Sequence, residues 1–191
     1  FKSTNDGDTW TQLSFGGTSP IDQLAVSPVE ENIIFTSLGN ELYGTFNGGN
    51  SWETLITNAP HNITSIRCKP DAKEVVAITL GGFEDGSKVY LSNDSGNTWE
   101  NISFDLPNVP VNTIELQKGS NGAIYIGNDF GVFKLNASLN SWELFSTNLP
   151  IVPVTDMVID DSESKLYIST YGRGMWVSAI EPPSTLEVTL T

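Results

Sequence analysis

A single cysteine, Cys68, stands in the whole chain, so no internal disulfide can form and no cysteine-rich zinc site can be built. It closes the alternating stretch Ile63-Thr-Ser-Ile-Arg-Cys68, which predicts a buried strand position. Basic residues are scarce: nine Lys and Arg face 23 Asp and Glu, a net charge of −14. A nucleic-acid backbone needs clustered cations, and an anionic membrane surface repels such a chain, so neither is expected as a partner. No apolar run approaches the roughly 18–20 residues of a spanning helix, and no membrane insertion is expected. One histidine, His61, and two arginines, Arg67 and Arg173, are all that the chain offers of those types. Helical periodicity is missing as well. The chain opens at Phe1 inside a strand-like segment with neither Met nor a signal peptide, as a processed or truncated product would.

What is present is a repeat. Ser3-Thr-Asn-Asp-Gly-Asp-Thr-Trp10, Thr45-Phe-Asn-Gly-Gly-Asn-Ser-Trp52 and Ser92-Asn-Asp-Ser-Gly-Asn-Thr-Trp99 share the pattern Ser/Thr-x-Asp/Asn-x-Gly-x-Ser/Thr-Trp. A fourth copy, Leu135-Asn-Ala-Ser-Leu-Asn-Ser-Trp142, keeps only its closing Ser141-Trp142. The tryptophans lie 42, 47 and 43 residues apart, the period of a four-stranded propeller blade. A second motif agrees: Leu106-Pro-Asn-Val-Pro-Val111 recurs 43 residues on as Leu149-Pro-Ile-Val-Pro-Val154.

The eight-residue box has the chemistry of a hairpin turn. Asn5, Asn47 and Asp94 can accept hydrogen bonds from following backbone N–H groups, and Gly7, Gly49 and Gly96 supply a positive φ. Thr9, Ser51 and Thr98 can tie the turn closed. Trp10, Trp52, Trp99 and Trp142 would then begin the outer strands and lie largely buried between blades. The box is read as structural.

Each unit reads as four strands. In the second full unit these are Ile63–Arg67, Val75–Leu80, Lys88–Ser92 and Trp99–Ser103, and Val111-Asn-Thr-Ile-Glu-Leu116 shows the period-two alternation of a strand. The fold class expected is all-β, with about four blades of four antiparallel strands. Residues 1–15 supply the end of a third strand and a fourth, three full units follow at roughly 20–58, 62–104 and 110–147, and 153–180 supplies three strands. That makes seventeen strands where a closed four-bladed ring needs sixteen. An open arc within a larger propeller is therefore expected, residues 1–180 forming the blades and 181–191 a linker and the start of a following β domain. The terminal units carry no polar cap: the Leu13/Phe15 strand and Met175-Trp-Val177 stay as apolar as interior copies, so missing blades of the same parent, or another chain, should cover them.

These motifs resemble the Asp-box, or BNR-repeat, β-propellers: sortilin-type receptor domains, xyloglucan-cleaving propeller glycosidases, sialidases and many exported proteins of Bacteroidetes. The likeness is strongest to the last group. There, blades of the type Ile124-Tyr-Ile-Gly-Asn-Asp-Phe-Gly-Val-Phe-Lys134 are common, and a final Leu166-Tyr-Ile-Ser-Thr-Tyr-Gly-Arg-Gly-Met-Trp-Val-Ser178 often precedes a linker and a type IX secretion domain. The resemblance covers residues 1–180 and implies a secreted or cell-surface protein. It does not by itself choose a function, since the architecture hosts unrelated activities.

Sialidase chemistry, as the resemblance would have it, needs a three-arginine clamp, and two arginines cannot build one. A two-carboxylate glycosidase needs paired acids across a cleft at roughly 5–9.5 Å. The candidates facing a ligand are Phe83, Glu84 and Asp85, in the insertion that lengthens the second Trp spacing, and Asp22 and Asp156 near the starts of inner strands. Each has a plainer reading, a solvated hairpin for the first three and turn stabilisation for the other two. His61 in Ala59-Pro-His-Asn62 reads as a solvated loop residue. Asn5-Asp-Gly-Asp8 and Asp160-Asp-Ser-Glu163 carry oxygen ligands without an EF-hand pattern, and four Asn-x-Ser/Thr sequons read as incidental. No catalytic residue, metal or cofactor is assigned. The expected function is a non-catalytic binding module presenting loops to a glycan or protein ligand. Part of a propeller glycosidase and a sortilin-like receptor are the alternatives.

Overall fold

The computed structural model describes residues 1–13, 15, 20–119 and 122–182. Those residues form β-structure and no helix. The first blade runs β1 (Gln23–Val26), β2 (Ile34–Leu38), β3 (Glu41–Thr45) and β4 (Glu53–Ile56). The second holds β5 (Ile63–Cys68), β6 (Val76–Leu80), β7 (Val89–Ser92) and β8 (Glu100–Asn101), and the third β9 (Val111–Leu116), β10 (Ile124–Asn128), β11 (Gly131–Asn136) and β12 (Ser141–Leu144). The fourth has three strands, β13 (Val154–Asp160), β14 (Lys165–Thr170) and β15 (Gly174–Ala179). Within each sheet the order is sequential and antiparallel. The residues 183–191 expected to open a further domain lie outside the described ones.

The innermost strands β1, β5, β9 and β13 succeed one another side by side, and no comparable contact joins β13 to β1 among the described residues. The molecule is an open arc, a partial propeller. A staple recurs at the start of the inner strands, where register shifts free one residue each in the second, third and fourth blades. Thr64 donates its hydroxyl to the Val111 carbonyl of the next blade, and Asn112 donates its amide to the Val154 carbonyl at 3.1 Å. These bulges sit where bulges usually do, at a rim, and re-aim a side chain across the blade boundary.

Alternation along the strands sends side chains to both faces, so the core is three slabs between blades. Val76, Ile78 and Leu80 of β6 join Phe35, Leu42 and Ala59 of the first blade. Ala77, on the opposite face of β6, joins Val111, Ile114, Ile126 and Trp142. Tyr125 and Val132 join Val154, Met157 and Leu166. Gly127 lets this last pair of blades close, since a Cβ there would lie 2.5 Å from Val154 Cγ1.

The three full boxes fold identically. Ser3, Thr45 and Ser92 accept from Gly7, Gly49 and Gly96 N–H at 2.9, 3.0 and 2.8 Å. Asn5, Asn47 and Asp94 accept from the N–H of Thr9, Ser51 and Thr98 at 3.0, 3.0 and 2.8 Å, and engage the same residues' hydroxyls. The glycines take φ of 91°, 93° and 89°. The hydroxyl at the first box position thus anchors the turn, a role that the pattern alone left unassigned. In the degenerate fourth copy Asn136 turns to Glu143 instead. The strand expected over Trp99–Ser103 shortens to Glu100–Asn101 because the Ser103 hydroxyl accepts from Lys88 and Val89 N–H in place of a further ladder.

The burial expected of all four tryptophans needs correction. Trp142 is buried, its indole N–H donating to the Ile102 carbonyl at 2.9 Å on the preceding blade. Trp99 is half-buried against the slab that holds Ala59, Ile78 and Leu80, and Trp52 half-buried against the edge of Phe15. Trp10 is 62% exposed. Burial comes from the blade before, and Trp10 stands ahead of the first blade that the described residues form. Replacing Trp142 with Ala should cost about 3–5 kcal/mol in urea unfolding. Trp99→Ala, at a half-wet seat, should cost about 1.5–3 kcal/mol, so an inverted order would contradict the seating described.

Candidate functional site

The turns joining second to third strands all lie at one rim of the arc. In the first blade this turn is Gly39-Asn40 and is bare of aromatics. In the next three it carries Phe83, Phe130 and Tyr171, which are 68%, 46% and 77% exposed. Loop backbone holds them in place: Phe130 N–H donates to Asn128 Oδ1 at 2.8 Å, and Tyr171 N–H to the Pro153 carbonyl at 2.9 Å. Exposed rings on successive loops of a rigid frame make this rim the candidate binding face. Phe83 was among the residues singled out from sequence. Phe130 and Tyr171 were missed, although each stands immediately before a glycine at a hairpin tip.

The insertion around Phe83 is internally braced. Glu84 Oε2 lies 2.6 Å from His61 Nε2 and accepts from Phe83 N–H, and its own backbone hydrogen bond, with His61 and Lys88 nearby, holds its pKa below the ordinary value. Lys88 is fully buried and donates its ammonium to the Gly82 carbonyl at 2.6 Å, and desolvation lowers its pKa. Asp85 is exposed. His61, read as solvated, is half-buried and engaged by Glu84 because the inserted loop folds back over it. Asp22 accepts from Gly39 N–H at 2.6 Å across the first blade's turn, its plainer reading. Asp129 faces Asn112 at 3.2 Å at the same rim.

Asp156 lies elsewhere, in a cluster on the inner strands of three successive blades. Arg67 of β5 donates to Glu115 of β9 at 2.8 Å and to Asp156 of β13 at 3.0 Å. Thr113 adds a hydroxyl to Asp156 at 3.3 Å. Burial raises the Glu115 pKa, with Arg67 opposing and Asp156 and Asp161 adding to the rise. The guanidinium thus binds two carboxylates at once while Nη1 donates to the Ile66 carbonyl at 3.3 Å, and with all three nitrogens engaged it is poorly placed to clamp a ligand's acid. Arg173 sits on the β14–β15 hairpin tip. Cys68 is half-buried and burial pushes its thiol up to about 12, so it stays a thiol. The Asp160–Glu163 segment closes on itself, Asp160 Oδ1 accepting from Ser162 and Glu163 N–H. A cleft of about 580 Å³ at the opposite rim, between the second and third blades, has Lys134 and Glu143 cross-paired in its wall and carries none of these clusters.

The sequence profile of the Sortilin-Vps10 family, described as sortilin, neurotensin receptor 3, matches residues 1–109. A search of curated proteins returns no match. Among solved structures the chain is similar to the GH74 xyloglucanase of Xanthomonas campestris, at 13% identity and a TM-score of 0.65, covering 82% of this chain and 29% of that one. It is similar to the extracellular domain of a putative one-component system from Bacteroides thetaiotaomicron, at 15% identity and 0.65, covering 87% and 22%. An auxiliary nutrient binding protein of the same species gives 16% and 0.62, covering 81% and 36%. The chain thus spans only a minor part of each, and at these identities the likeness is one of fold. The propeller fold is shared by enzymes and binding proteins alike. Among the described residues no helix is long and apolar enough to cross a membrane.

Removing Arg67 tests the inner cluster. Glu115 has a raised folded pKa, so its contribution favours the fold at low pH and is lost as pH rises through the folded value. In Arg67→Met the rise grows, and the stability deficit should open above the ordinary value of 4.5. Near neutral pH the deficit should reach about 1–3 kcal/mol, discounted for partial solvent access. Adding Glu115→Gln should recover most of it. A deficit independent of pH would place the arginine's role in packing alone.

Proposed function

The chain belongs to the Sortilin-Vps10 family, and from that premise we propose that it is a non-catalytic propeller module binding a neutral glycan along its hairpin-tip rim. The observation that carries this reading is the row of Phe83, Phe130 and Tyr171 on successive blades. Aromatic rings offer flat apolar faces that pack on the C–H faces of sugar rings. Glu84, Asp85, Asp129 and Asn112 beside them supply acceptors and donors for hydroxyls. A net charge of −14 disfavours polyanionic glycans, which leaves uncharged ones. The likeness to an extracellular domain supports a secreted or cell-surface setting. On this reading residues 181–191 lead into a following domain.

Two other readings each have a supporting observation. The family match favours a sortilin-like receptor, in which the same rim would meet a protein or peptide. Glu115, its pKa raised by burial, shares Arg67 with Asp156, so part of a propeller glycoside hydrolase, with catalytic residues lying partly outside this chain, is the enzymatic alternative.

Calorimetric titration with neutral oligosaccharides, β-glucan fragments first, separates these. Alanine at Phe83, Phe130 or Tyr171 should each weaken binding by about 1–2 kcal/mol, roughly fivefold to thirtyfold, without changing thermal stability. No turnover should accompany binding. Hydrolysis abolished by Glu115→Gln or Asp156→Asn would establish the enzyme, and binding unaffected by all three rim substitutions would refute the rim.

A further inference from the structure

The β6–β7 turn differs from its three counterparts in length and in what lies beneath it. Residues 81–87 separate the paired Leu80 and Lys88, where 39–40, 129–130 and 171–173 suffice in the other blades. The position of Lys88 is Glu41, Gly131 and Gly174 in those blades, so only the long turn has an ammonium under it. Its first limb is held by Lys88, which donates to the Gly82 carbonyl at 2.6 Å, and its second by Asn101, which donates to the Gly86 carbonyl. The tip between them, Phe83 and Glu84, has one hydrogen-bonded tie to another segment among the described residues, and that tie is His61.

The tie runs through a single oxygen. Glu84 Oε2 accepts from His61 Nε2 at 2.6 Å and from the Phe83 N–H at 3.1 Å. The Gly82 backbone lies against the imidazole, where a Cβ would come within 2.6 Å of three ring atoms. His61 itself stands on a fixed base. Ala59 N–H donates to the Asn40 carbonyl at 2.9 Å, Ile63 N–H to the Gly39 carbonyl at 2.8 Å, and Gly81 N–H to the Asn62 carbonyl at 3.0 Å. The imidazole thus joins the boundary of the first two blades to the exposed ring of the second. We infer that His61 is a positioning residue, a proton-dependent clasp that fixes Phe83 on the rim when the imidazole is charged and slackens when it is neutral.

The chemistry gives the sign. Histidine is the side chain that changes charge between about pH 5 and 8. Charged, it gives Glu84 a charge-assisted bond, about twice as strong as a neutral one. Neutral, it keeps one N–H and can still donate, but the turn then holds Glu84 and Asp85 side by side against Lys88 alone. Those three are the charges that the insertion brings to the imidazole. From the first blade's turn comes Asp22, whose carboxylate is already on the Gly39 N–H, and the flanking residues Asn58, Ala59, Pro60 and Asn62 add none. Lower pH therefore tightens the tip, and a ring already held loses less freedom when a ligand packs on it. Glu84 is largely exposed, which limits the gain to about twofold to fivefold in affinity. That consequence rests on the glycan reading of the rim, whereas the clasp itself does not.

Backbone order parameters from NMR relaxation of the ligand-free chain test the clasp. The Phe83–Asp85 amides should read about 0.85 at about pH 5.5 and fall by about 0.1 or more at about pH 7.5. His61→Gln and Glu84→Gln should each abolish this difference, and the two together should add nothing further. Cys68 is silent in that interval, its thiol pushed up to about 12, and Glu115, raised by burial, sits on β9, whose amides serve as the control. Calorimetry with β-glucan fragments should show binding about twofold to fivefold tighter at the lower pH in the unaltered chain and, at lower affinity, in Phe130→Ala. In His61→Gln the two values should be equal. Tip order independent of pH, or a pH difference that survives His61→Gln, would overturn the clasp. Oligosaccharide binding absent at both pH values would instead refute the glycan rim, with the order parameters still deciding the clasp.

Discussion

A blade of this protein cannot bury its own side chains. Strand alternation gives each sheet two apolar faces, and each face finds a core only against the next sheet. The seating of Trp142 on Ile102 shows how that dependence is made specific. The indole fills the space behind the previous fourth strand while its N–H uses that strand's free carbonyl, so packing and hydrogen bonding select one relative placement. The Thr64 and Asn112 staples repeat the selection at the inner end of the same boundary. Stability therefore runs along the chain as a series of boundaries.

That arrangement explains where binding residues can be placed. Strand interiors are committed to boundaries on both faces, and substitutions there disturb two slabs. The hairpin tips touch neither, so Phe83, Phe130 and Tyr171 can stand in water at no cost to the core. Backbone bonds from Phe130 to Asn128 and from Tyr171 to Pro153 keep the tips from wandering, which lowers the entropy lost when a ligand settles. The Arg67 cluster is the opposite case. It spans three inner strands, and its charges serve one another before they serve a ligand.

Much of the frame was legible in the sequence because its turns are local. Ser/Thr, Asn/Asp and Gly at fixed offsets can only close one kind of hairpin, and the 43-residue recurrence then set the blades. The state of Trp10 was not legible, since its burial depends on what lies beside it and the eight-residue pattern is silent on that. Arg67, Glu115 and Asp156 stand 48 and 41 residues apart on separate blades, with no local motif to join them. Phe130 and Tyr171 were hidden for a different reason: an aromatic among strand residues reads as core, and only the turn geometry shows that these two fall beyond the last paired position.

Hydrogen–deuterium exchange in the presence and absence of a neutral oligosaccharide is the most direct test of the proposed glycan rim. Rim binding would bring new protection at the hairpin tips, over residues 81–88, 129–131 and 171–174, with the inner strands unchanged. Protection over β5 and β9 around Arg67 and Glu115, with the tips unchanged, would contradict it and place the ligand on the axial wall.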